Sequence, residues 1–150
     1  ESIEAVLGHE MGHYVLNHAY KLFVASGIIA LVGFALASWT FNRIVLRWGA
    51  RLSISGISDV GGLPLLAAIF STWFFVTTPI TNTMIRTIEV GGDIFGINAS
   101  RQPDGFANVA MQLSEYRKIR PGKWEEILFY DHPSGWNRAH MAMAWKKEAR

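Results

Sequence analysis

Two stretches of this 150-residue sequence carry no formal charge, residues 22–41 and 60–85, and they constrain its fold more than any other feature. The first, LFVASGIIALVGFALASWTF, is long enough as a helix to cover roughly the 30 Å hydrocarbon core of a bilayer. Tyr20 and Lys21 precede it, and Trp39, Arg43, Arg47 and Trp48 stand at or beyond its end, where aromatic and snorkelling basic side chains occupy membrane interfaces. A wholly buried helix of a large soluble protein suits a run this long and uncharged less well. The second stretch opens with Pro64 near its first turn, where a missing N–H costs least, and holds Pro79, where a kink is expected. Thr77, Thr78, Thr81, Asn82 and Thr83 crowd its second half, marking either a helix that leaves lipid or the wall of a wet chamber. Residues 48–62, rich in glycine and serine, read as the connecting loop.

Composition agrees with a membrane chain. Half of the residues are hydrophobic and 17% are charged, against roughly a quarter charged in an ordinary soluble domain. A net charge of +2 leaves no basic stripe of the kind a nucleic-acid partner requires. Cysteine is absent, so disulfides, thiolate sites and cysteine nucleophiles are excluded, and any transition-metal site must draw on His, Asp and Glu. The opening residues, with three carboxylates and a histidine before residue 11, do not read as a secretory signal peptide, and the chain reads as an excised or processed piece. Charge does not orient the spans: Arg43, Arg47 and Arg51 lie between them, and Lys21, Arg86 and Arg101 flank the other side in equal number.

Beyond residue 85 the sequence is polar and helical. Asp104 can cap a helix over 105–118, Arg120-Pro121-Gly122 breaks it, a short segment covers 124–129, and a last helix runs from about Ser134 to the end. The expected fold is all-α. A helix over residues 1–20 precedes transmembrane helices at 22–41 and about 60–85, and the helical region 86–150 completes a metal site.

That site begins with His9-Glu10-Met11-Gly12-His13. Histidines four apart share one helical face and can bind one Zn²⁺, while the glutamate between them is turned to the side, positioned to take a proton from the attacking water. A catalytic zinc wants three protein ligands and an open position. On a continuous helix His18 points about 140° away from His13, so it reads as structural or interfacial. After the second span, Glu89 and Asp93 again share a face, suiting one ligand carboxylate and one carboxylate that orients a ligand histidine. An antiparallel hairpin of the two spans would bring these distant helices to the same membrane face. Gly91 and Gly92 each cost roughly 1 kcal/mol in a helix interior, which implies either close packing or a local break.

With these elements in order, the sequence resembles the integral-membrane zinc metalloproteases that include the type I CAAX prenyl endopeptidases and the HtpX-type quality-control proteases. The resemblance rests on HEMGH at 9–13 with a further His18, the two apolar spans, the Glu89/Asp93 helix, and His132-Pro133 followed by Arg138. It implies one Zn²⁺ per chain held by His9, His13 and Glu89, Glu10 as general base and then acid, and Asp93 steadying a ligand histidine. It also implies His132 as donor to the oxyanion, with Arg138 organising that region. Two positions depart from the family pattern: Gly91-Gly92 stands where a larger residue then a small one is usual, and Gly135 where an apolar residue is common. Members carry further spans before the HExxH helix, so the resemblance implies that residues 1–150 are the carboxyl-terminal catalytic part of a longer multi-pass enzyme.

The implied function is a zinc-dependent membrane endopeptidase acting on a peptide or protein, closer to the prenyl-protease branch and its prenylated C-terminal tails than to the HtpX-like branch. A metal-binding membrane transporter would place ionisable ligands within the spans, and here they flank them. A catalytically silent scaffold would have no need of Glu10 beside both histidines. No nucleic-acid partner is expected, and lipid is the expected surrounding of the spans.

Overall fold

The computed structural model describes residues 1–115 and 117–149, and among these it contains six α-helices and no strand. They are α1 (Ser2–Val15), α2 (His18–Leu52), α3 (Leu63–Ser100), α4 (Pro103–Leu113), α5 (Lys123–Phe129) and α6 (Gly135–Glu148). A single 3-10 turn, Val60–Gly62, leads into α3, its amide at Gly61 capped by the Asp59 carboxylate. The chain is all-α, and α2 and α3 are each long and apolar enough to cross a membrane. Only 11% of the most apolar stretch of each is buried, which is opposite to the core helix of a soluble protein.

Several boundaries differ from the sequence expectation, and three of them share one physical cause. Asn17, Ser53 and Arg101 adopt left-handed φ values of 55°, 54° and 54° and so turn the chain at the ends of α1, α2 and α3. The helix expected over 1–20 is therefore broken after Val15. The helix carrying the first span extends past Gly49 to Leu52, and the one carrying the second starts at Leu63 and continues without a break through Gly91-Gly92 to Ser100. Pro103, occupying the first turn of α4, starts that helix behind Gln102, and it ends at Leu113, short of the expected 118. The last two helices fall where expected, with Ser134 capping α6 through the Asn137 amide.

The chain divides into two compact units, one formed by Glu1–Leu22 with Pro79–Arg150 and the other by Phe23–Thr78. In the Phe23–Thr78 unit, α2 and α3 lie antiparallel: Gly33 meets Trp73, Phe34 meets Phe70 edge-to-face at 5.7 Å, and Phe41 meets Gly62. Thr77 returns its hydroxyl to the Trp73 carbonyl, which satisfies that polar group within its own helix.

The other unit is built on Ala5, Ile97, Phe106, Ala110 and Ala142, with Met141 and Trp145 packed against them. Here α1 lies against the end of α3 at backbone distance. Gly8 and Gly12 on α1 face Gly96 and Gly92 on α3, and a β-carbon at Gly8 would stand 2.9 Å from the Gly96 carbonyl oxygen. Small residues four apart on both helices are what permits such an approach. Helix α4 packs on α6 in the same way, because a β-carbon at Gly135 would lie 2.3 Å from Ser114 Oγ. That contact leaves no room for a side chain at the residue after Ser134.

Candidate metal centre

The close glycine contact between α1 and α3 determines which side chains meet. His9 and His13 alternate with Gly8 and Gly12, so when the glycines touch α3 the two imidazoles lie over its next turn, beside Glu89. Gly92 provides the floor: a β-carbon there would be 3.1 Å from both His13 Nε2 and His9 Cε1. The Gly91-Gly92 pair is thus a packing feature inside a continuous helix and not a break.

His9 Nε2 lies 3.0 Å from His13 Nε2 and 3.4 Å from one Glu89 oxygen, and His13 Nε2 lies 3.5 Å from the other. All three residues offer a ligand atom within 4.8 Å of the others. Each of these atoms is an electron-pair donor, and their convergence in a half-buried pocket requires a proton or a cation among them. Four tetrahedral ligands at zinc bond lengths are about 3.3 Å apart, close to the separations found. The residues present therefore fit a metal of the zinc type.

The outer nitrogens of both imidazoles are also held. His9 Nδ1 is 2.8 Å from Asp93 Oδ1, too bent an approach for a well-aligned hydrogen bond. Asp93 is completely buried, and Arg138 grips it bidentately, Nε donating to Oδ2 at 2.9 Å and Nη2 to Oδ1. The sequence reading associates Arg138 with the His132 region, and here its direct partner is Asp93. Burial opposes charge on His9, but the contacts with Asp93 and Glu89 outweigh it and raise its pKa to about 9.

His18, set aside in the sequence reading, is the correction that matters most. It is buried, and its Nδ1 lies 3.1 Å from His13 Nδ1. The 140° separation assumed a continuous helix, whereas the left-handed Asn17 restarts the chain and turns His18 back towards His13. Asparagine at that position was the available signal, since it enters this conformation more readily than most residues.

Glu10 is exposed and shares with His9, Glu89, His132 and Arg138 a cleft of about 170 Å³ roofed by Phe106. His132 Nε2 is 3.6 Å from Glu89 Oε2, while its Nδ1 is 3.2 Å from Asp131 Oδ1. Asp131 in turn accepts from Arg117 at 2.7 Å. Burial disfavours the Asp131 carboxylate, but Arg117 and His132 more than compensate and lower its pKa to about 2.

The loop carrying these residues is tied down by groups that no motif advertises. Arg86 donates to the carbonyls of Glu126, Ile127 and Tyr130 at and just beyond the C-terminal end of α5. Asn82 does the same for Leu128 at 2.8 Å. The Glu126 carboxylate then accepts from the Ser134 amide and the Asn137 side chain, holding the start of α6 beside His132.

The profile of Peptidase family M48 matches residues 1–146. This chain belongs to peptidase family M48. Two curated relatives are similar to this M48 chain over most of its length. It is 29% identical over 131 residues to the uncharacterized metalloprotease YhfN of Bacillus subtilis, covering 86% of this chain and 31% of that protein. It is 25% identical over 134 residues to the human CAAX prenyl protease 1 homolog, covering 89% of this chain and 28% of that one. The chain thus spans about a third of the length of the curated relatives it matches. No solved structure matches it at a comparable level.

Proposed function

We propose that this chain carries the catalytic centre of a multi-pass, membrane-embedded, zinc-dependent endopeptidase, with one Zn²⁺ held by His9, His13 and Glu89. The observation that carries this reading is the convergence of three electron-pair donors within 4.8 Å, with Glu10 and His132 lining the same cleft. Zinc bound there supplies Lewis-acid polarisation of the scissile carbonyl and acidifies a water.

The remaining work falls to the chain itself. Glu10 takes the proton of the attacking water and returns it to the departing nitrogen. His132 donates from Nε2 to the oxygen on which negative charge develops, and the Asp131 carboxylate at its other nitrogen holds the ring towards the cleft. Asp93 and Arg138 keep His9 aimed inward. The apolar α2 and α3 hold the chain in a bilayer, so membrane-associated peptides are the substrates it meets.

Similarity to the human CAAX prenyl protease 1 homolog favours a prenylated C-terminal tail as substrate. An HtpX-like role in clearing damaged membrane proteins is the second reading, favoured by a half-buried His132 that leaves one side of the cleft in contact with solvent. The test is cleavage by the detergent-purified protein of a farnesylated CAAX peptide, its unprenylated twin and an unfolded protein. Activity lost to a chelator and restored by zinc is expected, with the farnesylated peptide preferred. Equal cleavage of all three would point to the quality-control reading, and cleavage indifferent to the chelator would end the zinc proposal.

A further inference from the structure

The two proposed ligand histidines are braced differently, and the difference assigns a task to His18. His9 has a carboxylate at its outer nitrogen, Asp93, which is already neutralised by Arg138. Among the described residues no carboxylate stands at the outer nitrogen of His13, and His18 Nδ1 lies there at 3.1 Å. Two imidazole nitrogens at that distance share one proton. If His18 brought it, His13 would carry its own proton on Nε2, pointing at His9 and Glu89 and blocking the pocket. If His13 brings it, Nε2 is free to bind a metal, and His18 acts as acceptor in its Nε2–H form.

We infer that His18 is a positioning residue that holds His13 in the Nδ1–H tautomer, so that its Nε2 lone pair faces the metal pocket. This rests on the zinc reading above and deepens it. Two further features fit the assignment. The chain break at Asn17 carries His18 back over the site, at the expense of a left-handed non-glycine residue. Helix α3 then leaves space for the ring: a β-carbon at Gly91 would be 3.1 Å from His18 Cε1 and 3.2 Å from Nε2. Gly91 and Gly92 thus have separate tasks, one seating His18 and the other seating His9 and His13. A neutral acceptor also makes chemical sense, because it orients His13 without adding a second negative charge beside Glu89.

The test measures zinc dissociation constants by chelator competition for the detergent-purified full chain and for His18→Asn, His18→Leu, Gly91→Ala and His13→Ala. Asparagine keeps an acceptor near the position of Nδ1, whereas leucine keeps more of the volume. Zinc affinity within a few-fold of the original for His18→Asn, and about ten- to hundredfold weaker for His18→Leu, is the expected order. A merely space-filling histidine predicts the reverse order, and that result, or unchanged affinity in His18→Leu, overturns the inference. Gly91→Ala should weaken zinc binding although alanine favours the helix; undiminished affinity there counts against it equally. The His13 Nδ1 proton, followed by NMR in the zinc-loaded protein, should exchange slowly in the original and in His18→Asn and rapidly in His18→Leu. An original chain that takes up no zinc, or a His13→Ala chain that takes up as much, overturns the zinc reading itself and is told apart from failure of the His18 assignment by that control.

Discussion

Gly92 lies directly beneath His13, where a β-carbon would stand 3.1 Å from the imidazole Nε2 that faces Glu89. The bare helix surface at this point is what lets two imidazoles from α1 reach a carboxylate on α3. Gly92→Ala should therefore weaken zinc binding about tenfold or more while adding roughly 1 kcal/mol of helix propensity to α3. Chelator competition together with thermal unfolding of the metal-free chain separates the two effects. Loss of stability with zinc affinity intact would show that Gly92 serves packing alone.

The Asp93/Arg138 pair gives a prediction of a different kind, because Asp93 is fully buried and the Arg138 side chain is 11% exposed. Asp93→Asn leaves Arg138 as an uncompensated charge and should cost about 3–5 kcal/mol of stability, along with about ten- to hundredfold in zinc affinity. Replacing both, Asp93→Asn with Arg138→Met, should recover much of the stability and none of the zinc affinity. Denaturant unfolding and zinc titration of the three variants check this. Recovery of zinc binding in the double variant would show that the carboxylate does not act on His9.

Protonation of His9 sets opposite pH dependences for the empty and loaded chain. Burial works against the imidazolium, yet Asp93 and Glu89 raise the pKa from 6.5 to about 9. In the metal-free chain this contribution to stability is present in full below pH 6.5 and is lost as pH rises through about 9. Zinc must displace that same proton, so its apparent affinity should climb by up to about tenfold per pH unit across this interval. Unfolding midpoints and zinc titrations at several pH values test both signs, and a flat zinc affinity would contradict the role given to His9.

Much of this was legible in the sequence, and the parts that were not share a cause. The apolar runs over 22–41 and 60–85 led to two long apolar helices because absence of charge over that length has few other physical meanings. The histidine spacing at 9 and 13 and the Glu89/Asp93 spacing each put two side chains on one helical face, since helical geometry alone brings residues four apart together. What failed was punctuation. Helix ends are usually sought at glycine and proline, and here they fall at Asn17, Ser53 and Arg101, while Gly49, Gly91 and Gly92 lie inside helices. The error at Asn17 hid His18. The pattern Gly8-x-x-x-Gly12 against Gly92-x-x-x-Gly96 was present in the sequence, but its meaning depends on knowing that the two helices touch. Arg86, Glu126 and Asp131 act through loop carbonyls, amides and a ring nitrogen that only the folded chain brings to them.

Asp131 offers a test of the proposed donor His132. Asp131→Asn removes the carboxylate from His132 Nδ1 and from Arg117 but touches none of the three proposed ligands. It should lower kcat about ten- to hundredfold, as loss of orientation in an oxyanion donor does, with zinc content unchanged. Steady-state kinetics and metal analysis on the same preparation decide it. A rise in KM alone would place Asp131 in substrate binding.

Whether one site joins a metal to a base is decided by zinc content and peptide cleavage measured together for the original chain, His13→Ala, Glu89→Ala and Glu10→Gln. The expected result is one zinc per chain in the original, loss of zinc in both ligand variants, and zinc retained with cleavage abolished in Glu10→Gln. Zinc that persists in Glu89→Ala, or cleavage that survives in Glu10→Gln, would contradict it.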